Sequence, residues 1–225
     1  DSCSFLVHSI LSQISKPARY TGGEYNSIKK NPKEVIVQFV LSMPDVYEVG
    51  QSNLGLKILY NILNQRTDTL AERVYAPWVD LEEKMRENDI PLASLESHRP
   101  LKEFDIIGFT LQYELSYTNV VNMINLAKIP VLAKDRSDKD PLIVCGGPCT
   151  FNAEPLADFI DFFILGEGEE IIEEVAEKVA LWKKNNKIGG RKGILEELTT
   201  LQGIYVPSFY EITYFENGQV KDIEA

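Results

Sequence analysis

Two cysteines, Cys145 and Cys149, bracket a diglycine in IVCGGPCTFNAEPLADFIDFFILGEGEE (143–170), a stretch that closes on alternating glycine and glutamate. Four chemistries use such residues: a metal clip, a redox pair, a phosphate cradle and the floor of a cofactor pocket. A zinc or iron–sulfur site takes four protein ligands, or three beside an open position. Here the spacing is C-x3-C, Cys3 stands far away in the chain, and both histidines, His8 and His98, fall outside the stretch. No metal site is expected. Thioredoxin-type chemistry wants C-x-x-C at a helix start, whereas Cys145 ends an apolar run, where cysteine acts as a small hydrophobe. GGP and GEGEE both bring backbone amides toward a ligand, yet neither matches G-x-G-x-x-G or the Walker pattern. Glu167, Glu169 and Glu170 would repel a phosphate, and their expected role is to complement a helix N-terminus. The fourth reading asks for glycines that let a flat ring approach the backbone closely. Gly146 and Gly147 fit it, as do Gly50 and Gly55 across the crevice, but these residues alone do not name the ring.

The elements that must position these residues follow from hydrophobic periodicity. EVIVQFVLS (34–42), RVYAP (73–77), DIIGFTL (105–111), PLIVCGG (141–147) and DFIDFFILG (158–166) read as strands, with PLASLE (91–96) as a minor edge strand. Between them lie amphipathic helices: LGLKILYNILNQ (54–65), VDLEEKMREN (79–88), SYTNVVNMINLAKI (116–129) and GEEIIEEVAEKVALWKKN (168–185). Strands alternating with helices predict an α/β domain with a parallel sheet. The near-continuous apolar strands predict helices on both faces, a flavodoxin-like (Rossmann-like) arrangement. In such a sheet ligands bind beyond the carboxyl ends of the strands, which selects the loops 43–53, 110–116, 146–155 and 166–170. After residue 190 apolar and polar residues alternate around Asn217-Gly218, predicting a β-hairpin. The expected division is a lead-in at 1–32, the α/β domain at 33–190 and a hairpin extension at 191–225.

A net charge of −11 argues against a nucleic-acid role for the chain as a whole. Its dense basic group, Lys183, Lys184, Lys187, Arg191 and Lys192, reads as solvated surface. No apolar run reaches the roughly 18 residues of a membrane span. The first fifteen residues lack a basic n-region and a cleavage site, and predict a short amphipathic helix rather than a signal peptide. Three cysteines make no disulfide framework, so a cytoplasmic setting is expected. The chain begins with Asp rather than Met, as a fragment would.

In order, LGLKIL, DIIGFT, PLIVCGGP with AEPLAD, and DFFILGEGEE resemble the N-terminal cobalamin-binding-type domain of radical SAM proteins. More narrowly, KPARYTGGEYNS (16–27), PDVYEVGQSNLGLKILY (44–60) and ERVYAPWVDLEEKM (72–85) resemble one uncharacterised bacterial subfamily. The resemblance implies a radical SAM barrel holding a four-iron four-sulfur cluster and S-adenosylmethionine. The barrel's C-x3-C-x2-C motif is absent, residue 152 being Asn. The implied barrel is therefore an intramolecular partner lying outside this chain, which would not be catalytic alone. Asp45-Val-Tyr-Glu-Val-Gly50 keeps the family's D-x-H-x-x-G frame with Tyr47 where a cobalt-ligating His would stand, implying cobalamin held without a protein nitrogen. Carried over, Asp45, Tyr47 and Gly50 form the lower-ligand loop and Thr110 meets the nucleotide tail. Gly146, Gly147 and Pro148 lie beneath that tail, Gly166 and Gly168 beside it, and Gly55 across from it. Two plainer readings stand beside these: an Asx turn at Asp45 and a strand-end hydrogen bond at Thr110. Two other functions stand beside cobalamin binding: a cofactor-free domain that docks on the barrel and shapes its substrate entrance, and a flavodoxin-like nucleotide or flavin binder. The Tyr20–Asn26 segment, with its paired glycines, is expected to turn tightly against this domain or the barrel.

Overall fold

β1 (Val37–Met43) sends its side chains alternately to two sides, and the whole fold follows from that alternation. In this computed structural model, which describes residues 10–224, Val37, Phe39, Leu41 and Met43 join one apolar core and Val40 joins another. β3 (Ile106–Thr110), β4 (Leu142–Gly146) and β5 (Phe162–Ile164) divide in the same way: Ile106, Leu142, Val144 and Phe162 face the first core, and Ile107, Ile143, Cys145 and Phe163 the second. With β2 (Thr69–Tyr75) at one edge and β6 (Ile204–Tyr205) at the other, the sheet runs β2-β1-β3-β4-β5-β6. The first five strands are parallel and β6 is antiparallel to β5. The 2-1-3-4-5 part is the flavodoxin order, whose switch point lies between β1 and β3.

A four-residue turn of helix, α1 (Tyr47–Gly50), follows β1. α2 (Leu54–Gln65), α5 (Gly168–Lys184) and α6 (Gly190–Leu198) supply the first core, while α3 (Val79–Glu87) and α4 (Tyr117–Leu126) supply the second. α2 starts where the Asn53 side chain accepts from the Leu56 amide at 2.8 Å, satisfying an otherwise orphaned donor. α5 carries Glu169 and Glu170 in its first turn and Lys183 and Lys184 in its last, the charge order that its dipole favours.

Three expectations change in detail. The strand expected at 73–77 spans Thr69–Tyr75, because Thr69 and Glu72 are buried polar residues that hide its first half from an apolar count. Arg73 pairs with Glu96 at 2.7 Å with both side chains almost fully enclosed, and its guanidinium lies 4.4 Å from the Tyr60 ring. Residues 91–96 form no strand, only a bridge between Ala93 and Pro100. The segment at 204–205 joins the main sheet, leaving the hairpin to β7 (Glu211–Tyr214) and β8 (Val220–Glu224). Residues 1–9, with most of the expected first helix, Cys3 and His8, lie outside the described residues. Among the described residues no helix is long and apolar enough to cross a membrane.

Candidate functional site

The cleft opens at the carboxyl ends of β1, β3, β4 and β5, on the face covered by α2 and α5. Strand alternation fixes its floor. Leu41, Gly108, Thr110, Val144, Gly146 and Ile164 all project to this side, and two of the six have no side chain. The space left is about 410 Å³, within the range of small-molecule sites. Its walls are the first turns of two helices, with Gly55, Leu56 and Leu59 from α2 and Gly168, Glu169 and Ile172 from α5. The inner part is apolar, and polar groups gather at the mouth, where Thr110, Gln112, Glu167 and Glu169 stand beside Phe151.

The glycines here do different things. A Cβ on Gly146 would meet nothing within 4 Å, and its backbone needs no special conformation, so the bare position only keeps the cleft open. A Cβ on Gly108 would touch Val144 at 3.4 Å and Leu41 at 3.7 Å, an ordinary contact that would nonetheless occupy the floor. Gly147 differs: its φ is +99° and a Cβ would lie 2.8 Å from the Leu111 carbonyl oxygen. Only glycine fits there. Gly166 also has positive φ, +106°, but faces open space. The Gln112 amide donates to Thr110 Oγ1 at 2.7 Å.

Seven of the ten residues anticipated from sequence therefore line one cleft: Gly55, Thr110, Gly146, Gly147, Pro148, Gly166 and Gly168. Asp45, Tyr47 and Gly50 do not line it. Asp45 Oδ1 accepts from the next amide, Val46, at 2.7 Å, and Oδ2 accepts from the Tyr113 hydroxyl at 2.8 Å. The Tyr47 hydroxyl donates to Glu24 Oε1 at 2.7 Å, and its ring meets Tyr75 edge-on at 5.6 Å. Burial, and then the Glu24 carboxylate, raise the Tyr47 pKa to about 12. A Cβ on Gly50 would overlap the Tyr75 ring, so that glycine serves packing.

Glu24 belongs to the segment that spacing left unexplained. Gly22, at φ +65°, lies so near Leu95 that a Cβ would stand 2.5 Å from its carbonyl oxygen, so the Gly pair turns against this domain. Beyond the turn, Glu24 Oε2 accepts from Gln51 at 3.2 Å, and Gln51 in turn accepts from the Tyr75 hydroxyl at 2.7 Å. The 45–50 frame thus anchors a strap across the β1–β2 side.

Neither cysteine faces the cleft floor. Cys145 lies in the opposite core, where burial pushes its thiol pKa far up, and Cys149 is held through its backbone, its carbonyl accepting from Tyr117 at 2.9 Å. No three His, Cys, Asp or Glu side chains gather as metal ligands among the described residues. The basic group at 183–192 is partly engaged: Lys183 pairs with Asp105 at 2.6 Å and Arg191 with Asp161 at 2.6 Å. The residue that sequence reading passed over is Gly108. A glycine inside a strong strand marks close backbone approach, and DIIGFTL carried that signal.

Fold and cleft together define a parallel α/β domain of flavodoxin topology with a ligand-sized opening at its switch-point edge. Within that class, the chain belongs to the family of N-terminal domains of radical SAM proteins, which matches residues 55–207. It is 30% identical over 139 residues to the uncharacterized protein MJ0966 of Methanocaldococcus jannaschii, covering 60% of this chain and 25% of that protein. The chain thus spans about a quarter of that relative's length. No solved structure matches it.

Proposed function

We propose that this domain holds the nucleotide tail of cobalamin in the cleft, beside a radical SAM catalytic domain elsewhere in the protein. The observation that carries this reading is the floor: Gly108 and Gly146, on adjacent strands, are bare on the cleft side although neither has a positive φ that would call for glycine. A slot of that kind suits a flat ring sliding edge-first between the sheet and the two helices. Leu41, Val144, Ile164 and Ile172 would enclose the ring, and the Thr110 hydroxyl would donate to an acceptor at the mouth. The residues present fit a tail, and they do not fit a protein nitrogen on cobalt, because Tyr47 is turned toward Glu24. When bound, cobalamin supplies an organometallic centre for radical or alkyl-group chemistry. The family's iron–sulfur cluster and S-adenosylmethionine belong, on this reading, to the catalytic domain.

The test is retention of colour. Purified protein is mixed with hydroxocobalamin and desalted, and the visible band is read. A stoichiometric retained band is expected. A colourless eluate, from both this chain and the whole protein, removes cobalamin from the account.

A further inference from the structure

The hairpin β7–β8 presents an apolar face on which the described residues leave Ile212 half-buried and the other side chains exposed. Its register sets Ile212 opposite Ile223 and Tyr214 opposite Val220, while Thr213 faces Asp222 on the other side. The irregularity beside Thr213 leaves Lys221 without a partner and keeps Val220 level with Tyr214. The result is one apolar face and one polar face, yet Tyr214, Val220 and Ile223 are 59%, 52% and 57% exposed. A two-stranded hairpin is marginal by itself in water and needs a third strand or a packed layer to persist. Among the described residues no third strand is supplied, since β7 and β8 form a two-stranded sheet of their own.

Between the hairpin and the body of the domain runs a trough of about 860 Å³. Ile212 and Tyr214 form its outer wall, and Leu132, Ala157, Tyr205 and Tyr210 stand on the side of the body. Tyr205 stacks on the buried Phe163 at 6.0 Å and touches Tyr210 at 5.2 Å, so the inner wall is fixed to the core. Charged side chains, among them Lys134, Glu154, Asp158 and Lys192, line the rest of the trough, so its apolar part is the strip between the hairpin and the tyrosines of the body, an apolar centre with a polar rim as in packed interfaces. The position in the chain indicates the occupant. The family match ends at residue 207 and the hairpin begins at 211, so the hairpin lies just past the matched N-terminal domain, beside a trough walled largely by that domain. In the archaeal relative the aligned part is only a quarter of the protein, so most of that chain is available to fill such a place.

We propose that the hairpin face and the trough seat the domain that follows this one in the whole protein, an apolar segment of it lying against Tyr214, Val220 and Ile223. The proposal rests on the family assignment and not on what fills the cleft.

Hydrogen exchange read peptide by peptide tests it, on this chain and on the whole protein. In this chain the amides of 211–224 should exchange freely, and in the whole protein at least about 100-fold more slowly, as for backbone that opens only by sub-global unfolding. The double variant Tyr214→Ser/Ile223→Ser should restore fast exchange in the whole protein without moving the melting transition of the α/β domain. Equal exchange of the hairpin in the two proteins would overturn the proposal. So would protection in this chain alone that rises with concentration, since the occupant would then be a second copy. Cobalamin retention is read on the same samples. Loss of hairpin protection with colour retained removes only the docking inference, and the reverse removes only the cofactor.

Discussion

Replacing each glycine of the Gly146-Gly147 pair by alanine should move stability in opposite directions, although the two are neighbours in chain and in space. At Gly146 the backbone is ordinary and a Cβ has nothing within 4 Å, so alanine costs no contact. It narrows the unfolded ensemble, which stabilises by about 0.5 kcal/mol. At Gly147 the φ of +99° strains any L side chain, and the Cβ would lie 2.8 Å from one backbone atom of Leu111 and 3.1 Å from another. Those atoms cannot give way, because the Leu111 amide donates to Gly146 at 2.7 Å and its carbonyl accepts from Cys149. The expected cost is about 2–3 kcal/mol, a fall in Tm of about 4–12 °C for a domain of this size. Differential scanning calorimetry reads both. A third variant, Gly146→Leu, carries the argument to the cleft: it should fold, but its four side-chain carbons would occupy space a ligand needs. At about 0.8 kcal/mol per buried carbon the loss is about 3 kcal/mol, or about 100-fold in Kd for hydroxocobalamin. If Gly146→Ala destabilises as much as Gly147→Ala, the assignment of one glycine to the cleft and the other to the backbone is wrong. If Gly146→Leu folds and binds as well as wild type, the ligand is not on this floor.

Two more outcomes follow from buried polar groups. Tyr47 holds its proton more tightly folded than unfolded, its pKa standing at about 12 against an ordinary 10, so its contribution is complete below pH 10 and is lost as pH rises toward 12. Denaturation midpoints should therefore fall across that window, and Tyr47→Phe should lessen the fall; an unchanged slope would contradict the buried, Glu24-bonded setting of the Tyr47 hydroxyl. Asp161 is the only carboxylate that pairs with the fully enclosed Arg136 among the described residues, and it also pairs with Arg191 and accepts from the Ile143 amide. Asp161→Ala should cost about 3 kcal/mol, the low end for a broken buried pair, because Arg136 keeps the carbonyls of Pro130, Val131 and Phe159. Urea denaturation with an unchanged m-value checks it, and a change below about 1 kcal/mol would show the pair to be dispensable.

Apolar runs and period-3.6 helical stripes determine most of the architecture. VIVQFV, IIGF, LIVC and FFIL fit strands covered on both faces, and such strands alternating with helices imply a parallel sheet with a binding edge at its carboxyl end. The glycine-rich loops followed from composition, because glycine is where backbone comes closest to a ligand. What sequence left open depends on contacts between residues far apart in the chain. The first half of β2 escapes an apolar count because Thr69 and Glu72 are buried, and Glu72 is satisfied there by Ser97, 25 residues away. The D-x-x-x-x-G frame looked like part of the cleft, but Glu24 and Tyr75 draw Tyr47 and Gly50 into the anchoring of a strap. The sequence by itself determined which residues are glycine and that several of them follow apolar strand segments. Only the tertiary structure decided which glycines keep a cleft open and which serve the backbone, since that depends on the nearest atom of another strand or loop.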